Sequence, residues 1–358
     1  MNKVKFSSVE LTFLITNVII FKLFSLYPTI IEEFAATGLW MACIIATITV
    51  LVIFAVINVL NKPFRSMGFD EVVVKAFGRF GAMVFAVMVL FYYGAQMSFY
   101  LKYTVESLKV TSFFQSPTFW LALFFVIPAV YAVFKGIRGI VRLTSIILPI
   151  MIVADIILCL GAGSKFQSTN LFPIFGNGIG DTVMMGLRNT AYFGDIFLLF
   201  LMAPYAEKPE KLGKVGLASL FLSGAVMIMI LTSYQLVASY PTTVFYANPL
   251  ELMQNISQYD INFLRIGVSF MIFWVISFIL YMATVITLLD DFLKRLTGRN
   301  SRKAFTILFG IIVLVLAVFM PSVLTKPELM NVILNTTLIV LFGLPVAGSA
   351  MARIRGHR

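Results

Sequence analysis

The stretch that decides the fold of this chain is Met184-Met185-Gly186-Leu187-Arg188-Asn189-Thr190-Ala191-Tyr192-Phe193-Gly194-Asp195. It lies inside an apolar segment at about residues 182–204, yet it contains two glycines, an arginine, an asparagine and an aspartate. Irregular backbone at membrane depth is tolerated only where protein buries it or where it lines a cavity. The stretch therefore predicts either a broken helix, whose free N–H and C=O groups can bind a ligand, or a kinked helix that packs through its small residues.

This segment is the sixth of ten apolar segments along the chain. They lie near residues 9–31, 38–60, 80–104, 117–134, 143–162, 182–204, 215–240, 262–289, 304–321 and 331–351. Each has roughly the 20 residues that a helix needs to cross about 30 Å of hydrocarbon. Lipid cannot satisfy the edges of an open sheet, and the alternating segments of a membrane barrel are missing. We expect an all-α polytopic membrane protein with ten transmembrane helices, forming one transmembrane domain over residues 1–358.

The basic residues predict how these spans are oriented. Twenty of the 27 lysines and arginines lie at the termini or in the loops after the even-numbered spans, whereas the other loops hold only Lys109, Lys165 and Lys326. Cytoplasmic loops carry an excess of Lys and Arg. Both termini are therefore expected in the cytoplasm, which an even number of spans allows.

Composition excludes several classes of function. The net charge of +11 comes from loops that face anionic lipid, so it does not indicate nucleic-acid binding. Cys43 and Cys159 lie inside apolar spans and the only histidine is His357, so we expect no disulfide, no metal site and no cofactor. No loop is long enough for a separate soluble domain, and Asp155 and Asp195 have no His, Cys or Ser cluster beside them. We expect a protein that is not an enzyme and that acts within the bilayer.

Charged residues inside the spans are candidates for function, because a charge at the centre of a transmembrane helix costs about 3 kcal/mol or more. Lys22 lies about 20 Å along span one, and Asp155 lies at a similar depth in span five. Lys22 could extend towards the interface, form a structural ion pair or belong to a site. We expect an internal charge pair between Lys22 and Asp155, either purely structural or coupled to function. In span three, Lys102 and Glu106 are spaced for an interfacial pair, and Gln96 lies on a polar face with two tyrosines.

The ten spans divide into two halves of five, at about residues 9–162 and 182–351. Because five is odd, the second half enters the membrane from the opposite side. This is the inverted-repeat plan of LeuT-type transporters in the amino acid–polyamine–cation superfamily, in which helices 1 and 6 are broken. At this level the likeness is one of fold only.

Local sequences resemble the spore germination permease family, the B subunits of nutrient germinant receptors. The matching motifs are Thr16-Asn17 followed by Pro28, Gly68-Phe69-Asp70-Glu71, Asn170-Leu171-Phe172-Pro173 with Gly176 to Gly180, Phe193-Gly194-Asp195, and Arg265 with Trp274. Two positions depart from the family pattern. Phe21-Lys22-Leu23 replaces the small residues at the break in span one, and Gly267 replaces an acidic residue in span eight.

The resemblance implies a subunit that senses a small nutrient, such as an amino acid, and triggers spore germination. It also implies an A-type membrane subunit and a C-type lipoprotein as partners in the spore inner membrane. The residues expected to contact the ligand are Asn17, Lys22, Gln96, Asn189, Tyr192, Gly194 and Asp195. The alternative is a working secondary transporter for an amino acid or a cation, in which Lys22 takes the place of a coupling ion.

Overall fold

A computed structural model of the chain describes residues 4–24, 35–64, 67–111, 113–238, 240, 252–253, 266–298, 302–323, 326 and 328–356. Within these ranges the regular structure is helical, apart from one isolated bridge between Phe6 and Ala206. Pro28, at the end of span one, and Arg265, at the start of span eight, lie outside the described residues.

The described helices follow the apolar segments in order. The α-helices are α1 Ser8–Ile20, α2 Leu39–Leu60, α3 Phe69–Thr111, α4 Thr118–Lys135, α5 Ile137–Gly161, α6 Ile179–Asn189, α7 Leu212–Val237, α8 Ile266–Thr297, α9 Arg302–Phe319, α10 Glu328–Thr337 and α11 Leu344–Gly356. Seven stretches in the described ranges are long and apolar enough to cross a membrane, and α1 and α9 are shorter apolar helices. The chain is therefore a multi-pass membrane protein.

The surface of the helices matches a lipid environment. Large apolar side chains point outward, with Phe80 85% exposed and Phe319 82% exposed, while polar side chains such as Asn17 and Gln96 are buried. In water such a surface would be an aggregation liability, whereas hydrocarbon solvates it. Lipid therefore accounts for the outer faces, and the polar residues of the interior need partners within the protein.

Two local signals set helix boundaries. Ser7 Oγ accepts a hydrogen bond from Glu10 N, and the Glu10 carboxylate accepts one from Ser7 N at 2.8 Å, so that a capping box starts α1. Gly136 alone joins α4 to α5 with φ of 91°, a backbone conformation that a side chain would strain. This tight turn makes α4 and α5 neighbours.

Close packing of α2 against α6 and α7 depends on residues without side chains. A Cβ on Gly216 would overlap the Phe54 ring, and a Cβ on Gly224 would overlap Thr47. A Cβ on Gly186 of α6 would lie 2.6 Å from Ile45. Small residues at such contacts let helix backbones approach within a membrane protein.

Several packed pairs connect helices that lie far apart in the sequence. α2 packs against α6, and α1 packs against α7; α4 packs against α8, and α3 packs against α9. α5 packs against α8, and α11, which continues the last span, packs against α3. Finally, α1 packs against α5, and the irregular part of span six packs against α10.

Among the described residues, three spans change from α-helix to another helix type. Span six is α-helical through Asn189, changes to a 3-10 segment at Thr190–Phe197 and then makes one α-helical turn at Leu198–Leu201. Of the stretch predicted to be irregular, Met184–Asp195, the part from Thr190 onward leaves the α-helix and the part before it does not. Span one leaves α1 for a 3-10 segment at Phe21–Phe24. The last span contains a π-helix at Leu338–Gly343, between α10 and α11.

Candidate functional site

The 3-10 segments of spans one and six lie beside each other in the interior. The segment Thr190–Phe197 packs against α1, α10 and the π-helix Leu338–Gly343. Its glycine makes this approach possible, because a Cβ on Gly194 would overlap Thr337 Cγ2 and lie 3.2 Å from Leu341. All eight residues of the segment are buried. The irregular stretch is thus held by protein on every side, as backbone at membrane depth requires.

Lys22 joins the two segments. Its ammonium group forms an ion pair with the Asp195 carboxylate and donates a hydrogen bond of 3.0 Å to the Tyr192 carbonyl oxygen. The same Nζ atom lies 5.9 Å from the centre of the Tyr100 ring. Lys22 is 1% exposed and Asp195 is fully buried. A cation from span one is therefore bound by the backbone and side chain of span six.

Physical chemistry makes this pair interdependent. Removing a charged group from water costs several kcal/mol, and the cost is offset only by a close opposite charge with further hydrogen bonds. Lys22 has both, together with the face of an aromatic ring. Neither charge is stable here without the other, so opening one helix away from the other must either solvate both groups or supply replacement partners.

The predicted pair between Lys22 and Asp155 is wrong, because Lys22 binds Asp195. Asp155 lies on α5 and is fully buried, and neither carboxylate oxygen has a hydrogen-bond partner in the part of the chain that the structure describes. Its neighbour is Cys159, one turn along the same helix. The two predicted partners have similar depths along their helices, but the Lys22 side chain leaves its 3-10 segment towards span six and not towards this face of α5.

Other predicted site residues have distinct roles. Asn17 connects α1 to α8: its Oδ1 accepts a hydrogen bond of 2.8 Å from Ser277 Oγ, and its Nδ2 donates one of 3.3 Å to the Ser277 carbonyl oxygen. Gln96 Oε1 accepts a bond of 3.1 Å from Tyr281. Asn189, at the end of α6, is buried, and neither atom of its amide has a hydrogen-bond partner among the described residues.

The structure thus brings together four of the seven predicted ligand-contact residues. Lys22, Tyr192 and Asp195 are in direct contact, and Gln96 lies next to the Asp195 carboxylate. Asn17 is five residues before Lys22 and fixes the helix that carries it. Gly194 contributes through close packing, and Asn189 supplies an unused amide beside the irregular segment.

An aromatic cluster next to this pair was not predicted. The Phe21 ring stacks on Tyr281 with 3.8 Å between ring centres, lies 5.3 Å from Tyr100 and lies 5.5 Å from Phe278. Tyr93 also lies beside the Asp195 carboxylate. The spacing of Ser277 and Tyr281, four residues apart in an otherwise apolar span, was the available signal. These rings form a wall of the site on the side of α3 and α8.

The predicted interfacial pair of span three is confirmed. Lys102 Nζ lies 3.6 Å from Glu106 Oε1. Glu106 also accepts hydrogen bonds from Ser322 Oγ at 3.2 Å and from Val323 N at 2.9 Å, just after α9. This charge pair fastens one end of the helix bundle and is separate from the Lys22 pair.

At the other end of the bundle, the segment before α1 is bound to the segment after span six. Phe6 N donates a hydrogen bond of 2.8 Å to the Tyr205 carbonyl oxygen, and Glu207 N donates one of 2.9 Å to the Phe6 carbonyl oxygen. Lys5 Nζ donates to the carbonyl oxygens of Pro204 and Ala206. We call residues Lys5–Phe6 and Pro204–Glu207 the terminal clamp.

The terminal clamp is also tied to α8. Tyr205 donates a hydrogen bond to the Asp291 carboxylate, and Arg295 lies over the Tyr205 ring while its Nη1 lies 3.3 Å from Asp70 Oδ1. Burial raises the pKa of Tyr205 well above its usual range, and the Asp291 carboxylate raises it further. The phenol therefore keeps the proton that it donates. Span six, α8 and the N-terminal segment are held together at this end.

Metal ligands do not form a site in the part of the chain that the structure describes. No group of three or more His, Cys, Asp or Glu side chains lies close enough there to hold an ion. The chemistry of the central site is that of an ammonium, a carboxylate, a backbone carbonyl and aromatic rings. Such a set can recognise a small charged molecule.

The family model and the similar proteins agree on one family. The family described as "Spore germination protein" matches residues 5–323. Similar proteins from Bacillus subtilis (strain 168) are spore germination protein KB, 22% identical over 221 residues; spore germination protein B2, 21% identical over 201 residues; and spore germination protein YndE, 20% identical over 208 residues. These alignments cover 60%, 54% and 58% of this chain and 59%, 55% and 57% of the three relatives.

A solved structure shares the fold. It is that of Mhp1, a nucleobase-cation-symport-1 family transporter in a closed conformation with bromovinylhydantoin bound, with a TM-score of 0.65 and 12% identity. The match covers 96% of this chain and 78% of the transporter. At this identity the likeness shows a common transporter fold and leaves the ligand open.

Proposed function

This chain belongs to the spore germination protein family, and we propose that it is the nutrient-sensing membrane subunit of a spore germinant receptor. The observation that carries the proposal is the buried contact of Lys22 with Asp195 and the Tyr192 carbonyl, between the 3-10 segments of two spans. It places complementary charges where the backbone is irregular, which is where this kind of fold can bind a small ligand. We place the protein in the spore inner membrane with both termini in the cytoplasm.

We further propose ten transmembrane helices arranged as an inverted repeat of five plus five, over about residues 9–162 and 182–351 of a single domain. The packing partners support this. An inverted repeat makes span one equivalent to span six, span two to span seven, and so on. When equivalent spans are exchanged, each helix pair given above under Overall fold becomes another pair that is also in contact. The pair α1 and α7 becomes span six and α2, and the pair α3 and α9 becomes α8 and α4. Spans one and six, which correspond, both contain 3-10 segments.

The ligand class follows from the charges. A free amino acid carries a carboxylate that can bind Lys22 and an ammonium that can bind Asp195, so it can replace each half of the internal pair. The Tyr192 carbonyl and the Gln96 amide offer further hydrogen bonds, and the aromatic cluster around Phe21 offers an apolar wall. A zwitterionic nutrient can thus enter without leaving a buried charge unpaired, which a neutral molecule of the same size cannot do.

The mechanism that we propose is a shift between two conformations. The terminal clamp holds one end of spans one and six closed, while the ligand enters from the opposite end and replaces the internal ion pair. To change the ratio of two states from 1:99 to 99:1, a ligand must favour one state by about 5.5 kcal/mol. Differential contacts with Lys22 and Asp195 can supply that preference. The partner subunits then respond to the new conformation.

The proposed partners are an A-type membrane subunit and a C-type lipoprotein. The experiment is gentle solubilisation of native spore membranes, capture of this chain by a tag, and identification of the proteins that co-purify. A second membrane subunit and a lipoprotein in near-stoichiometric amounts are the expected result. If the tagged chain is recovered in good yield from this purification without other proteins, the receptor assignment is contradicted.

The second candidate is a carrier for an amino acid or a cation, which the likeness to a cation symporter favours. In that case the Lys22 ammonium replaces a coupling cation at the junction of spans one and six. A carrier must move solute when it is the only protein in a proteoliposome, and Lys22→Ala should change the pH dependence of uptake. Uptake of labelled amino acids into proteoliposomes that contain only this chain would favour the carrier. A lack of uptake would favour the receptor.

A further inference from the structure

A second buried charge lies apart from the central site. Asp155 of α5 is fully buried, and within the described ranges neither of its carboxylate oxygens has a hydrogen-bond partner. A structural role for this carboxylate would be an ion pair with a neighbouring helix. Its expected partner, Lys22, binds Asp195 instead. A polar residue that is kept in a membrane interior at such a cost calls for a function of its own.

The surroundings of Asp155 contain no opposite charge in the described ranges. α5 packs against α1, α4, α7, α8 and the 3-10 segment Gly163–Lys165, and its own Cys159 thiol is the adjacent titratable group, within reach of Ser233 on α7. The remaining charged and titratable residues of these elements lie near helix ends or contact other groups. They are Glu10, Tyr131, Lys135, the exposed Lys165, Lys214, Tyr234, Tyr281, Asp290, Asp291, Lys294 and Arg295, with Arg138 and Arg142 on α5 itself and Lys22 just after α1.

Two chemical states would reconcile such a carboxyl group with its surroundings. One is a bound cation, but alkali and alkaline-earth ions require several oxygen ligands, and the thiol beside Asp155 is a soft donor that they do not favour. The other is the neutral acid, which carries no charge to be solvated and needs at most one acceptor for its proton. The neutral acid is therefore the state that fits these surroundings.

Asp155 lies close to one end of α5. It lies six residues before the end of α5, about 9 Å along the helix axis. The segment after α5 covers this end, because Gln167 N and Asn170 Nδ2 both donate hydrogen bonds to the Leu236 carbonyl oxygen, at 2.9 and 3.1 Å. Separation of this segment from the end of α7 would give water access to the carboxyl group.

We propose that Asp155 is a proton-binding site of this protein, protonated while the ends of α5 and α7 are closed over it and ionised when that end opens to water. On opening, the O–H bond of the carboxylic acid breaks and the proton passes to water; on closing, a proton returns. The conformational equilibrium of the chain is therefore linked to one proton. This proposal concerns a different residue from the ligand site, and it holds for a receptor and for a carrier.

The direct test is infrared difference spectroscopy of the full chain in lipid nanodiscs near neutral pH. We expect a carbonyl stretching band of a protonated carboxylic acid in the wild type, its loss in Asp155→Asn, and its retention in Asp181→Asn, which removes an exposed acid at the start of α6. If the band is the same in wild type and Asp155→Asn, the proposal is overturned. If it appears only after sodium and potassium are withdrawn, Asp155 binds a metal cation and the proposal is likewise overturned.

A second measurement uses the thiol of Cys159, and not the carboxyl band, as its readout. With Cys43→Ala, Cys159 is the single thiol of the chain, and its labelling rate reports the opening of this end. The ratio of labelling rates in Asp155 and Asp155→Asn backgrounds should rise with pH, by at most tenfold per pH unit because one proton is involved. Ionised Asp155 beside the thiol would by itself lower this ratio. Parallel pH profiles in the two backgrounds would contradict the proposal.

Discussion

At the scale of single residues, the ion pair between Lys22 and Asp195 dominates the energetics of the interior. Removing one partner leaves a buried charge without compensation, so Lys22→Met or Asp195→Leu alone should lower the free energy of unfolding by about 3–5 kcal/mol. The double variant should lose less than either single variant, because it leaves no charge behind. Unfolding in a titration with denaturing detergent measures all three.

The matched control for these single and double variants is Lys102→Met. Lys102 is also a lysine within an apolar span, but its pair with Glu106 is longer, at 3.6 Å, and partly exposed. Its removal should cost less than removal of Lys22, because Glu106 keeps its hydrogen bonds from Ser322 Oγ and Val323 N. Additive losses in the Lys22 and Asp195 variants would contradict the coupling that we describe.

Gly194 offers a second residue-scale prediction. Gly194→Ala should destabilise the protein by about 1–3 kcal/mol, because the new Cβ would overlap Thr337 Cγ2 in a closely packed interior. Thr337→Ser in the same chain should restore most of the loss, since serine lacks that methyl group and keeps the hydroxyl that bonds Tyr92 at 2.6 Å. Melting temperatures of the single and double variants provide the measurement, and an absent rescue would show that the contact is not the cause.

Sequence reasoning found the charged residues of the interior but not their pairing. Position along a span gives depth, and Lys22, Asp155 and Asp195 all lie well inside the hydrocarbon by that measure. Pairing also depends on how each helix is rotated and on which helices are neighbours, which depth does not specify. The Asn17 contact with Ser277 and the aromatic cluster around Phe21 were missed for the same reason.

At the scale of elements, the terminal clamp should set the stability of one end of the bundle. Tyr205→Phe removes a hydrogen bond to the Asp291 carboxylate, and bonds to charged groups contribute about 1.5–3 kcal/mol. Amide hydrogen exchange at Phe6 and Glu207, which bond across the clamp, should therefore become at least about tenfold faster. Tyr131→Phe, on the exposed face of α4, is the control. Unchanged exchange in Tyr205→Phe would show that the clamp does not depend on this bond.

The sequence predicted irregular backbone where its composition was unusual and missed it elsewhere. Gly186, Arg188, Asn189, Gly194 and Asp195 indicated irregular backbone within Met184–Asp195, and the 3-10 segment of span six begins at Thr190. The π-helix Leu338–Gly343 lies in an ordinary apolar segment, next to Pro345, which has no N–H to donate to the carbonyl of Leu341. α3 begins at Phe69, well before the predicted span, and non-helical φ/ψ angles at Gly78 bend it where the basic loop was expected.

At the scale of the whole molecule, the orientation in the membrane rests on the distribution of basic residues. The test uses a chain without its own thiols, with Cys43→Ala and Cys159→Ala. In that chain, Lys165→Cys at an exposed position should react with an impermeant maleimide added outside intact cells. Lys208→Cys, also exposed, should react only after permeabilisation, because loops rich in lysine stay in the cytoplasm. The reverse pattern would invert the proposed topology and the side from which a ligand enters.

We propose that the Lys22–Asp195 contact is the ligand site of a nutrient sensor. The most direct measurement is the germination response of spores that carry Asp195→Asn, Gln96→Ala or the control Lys102→Met, across a concentration series of each proteinogenic L-amino acid. The immunoblotted amount of each variant in the spore membrane normalises the response. We expect the first two variants to need a higher concentration of the nutrient that activates the wild type, or not to respond, because each removes a side chain at the Asp195 carboxylate, while the control is unchanged. An unchanged concentration dependence in Asp195→Asn and Gln96→Ala spores would contradict the assignment of the site.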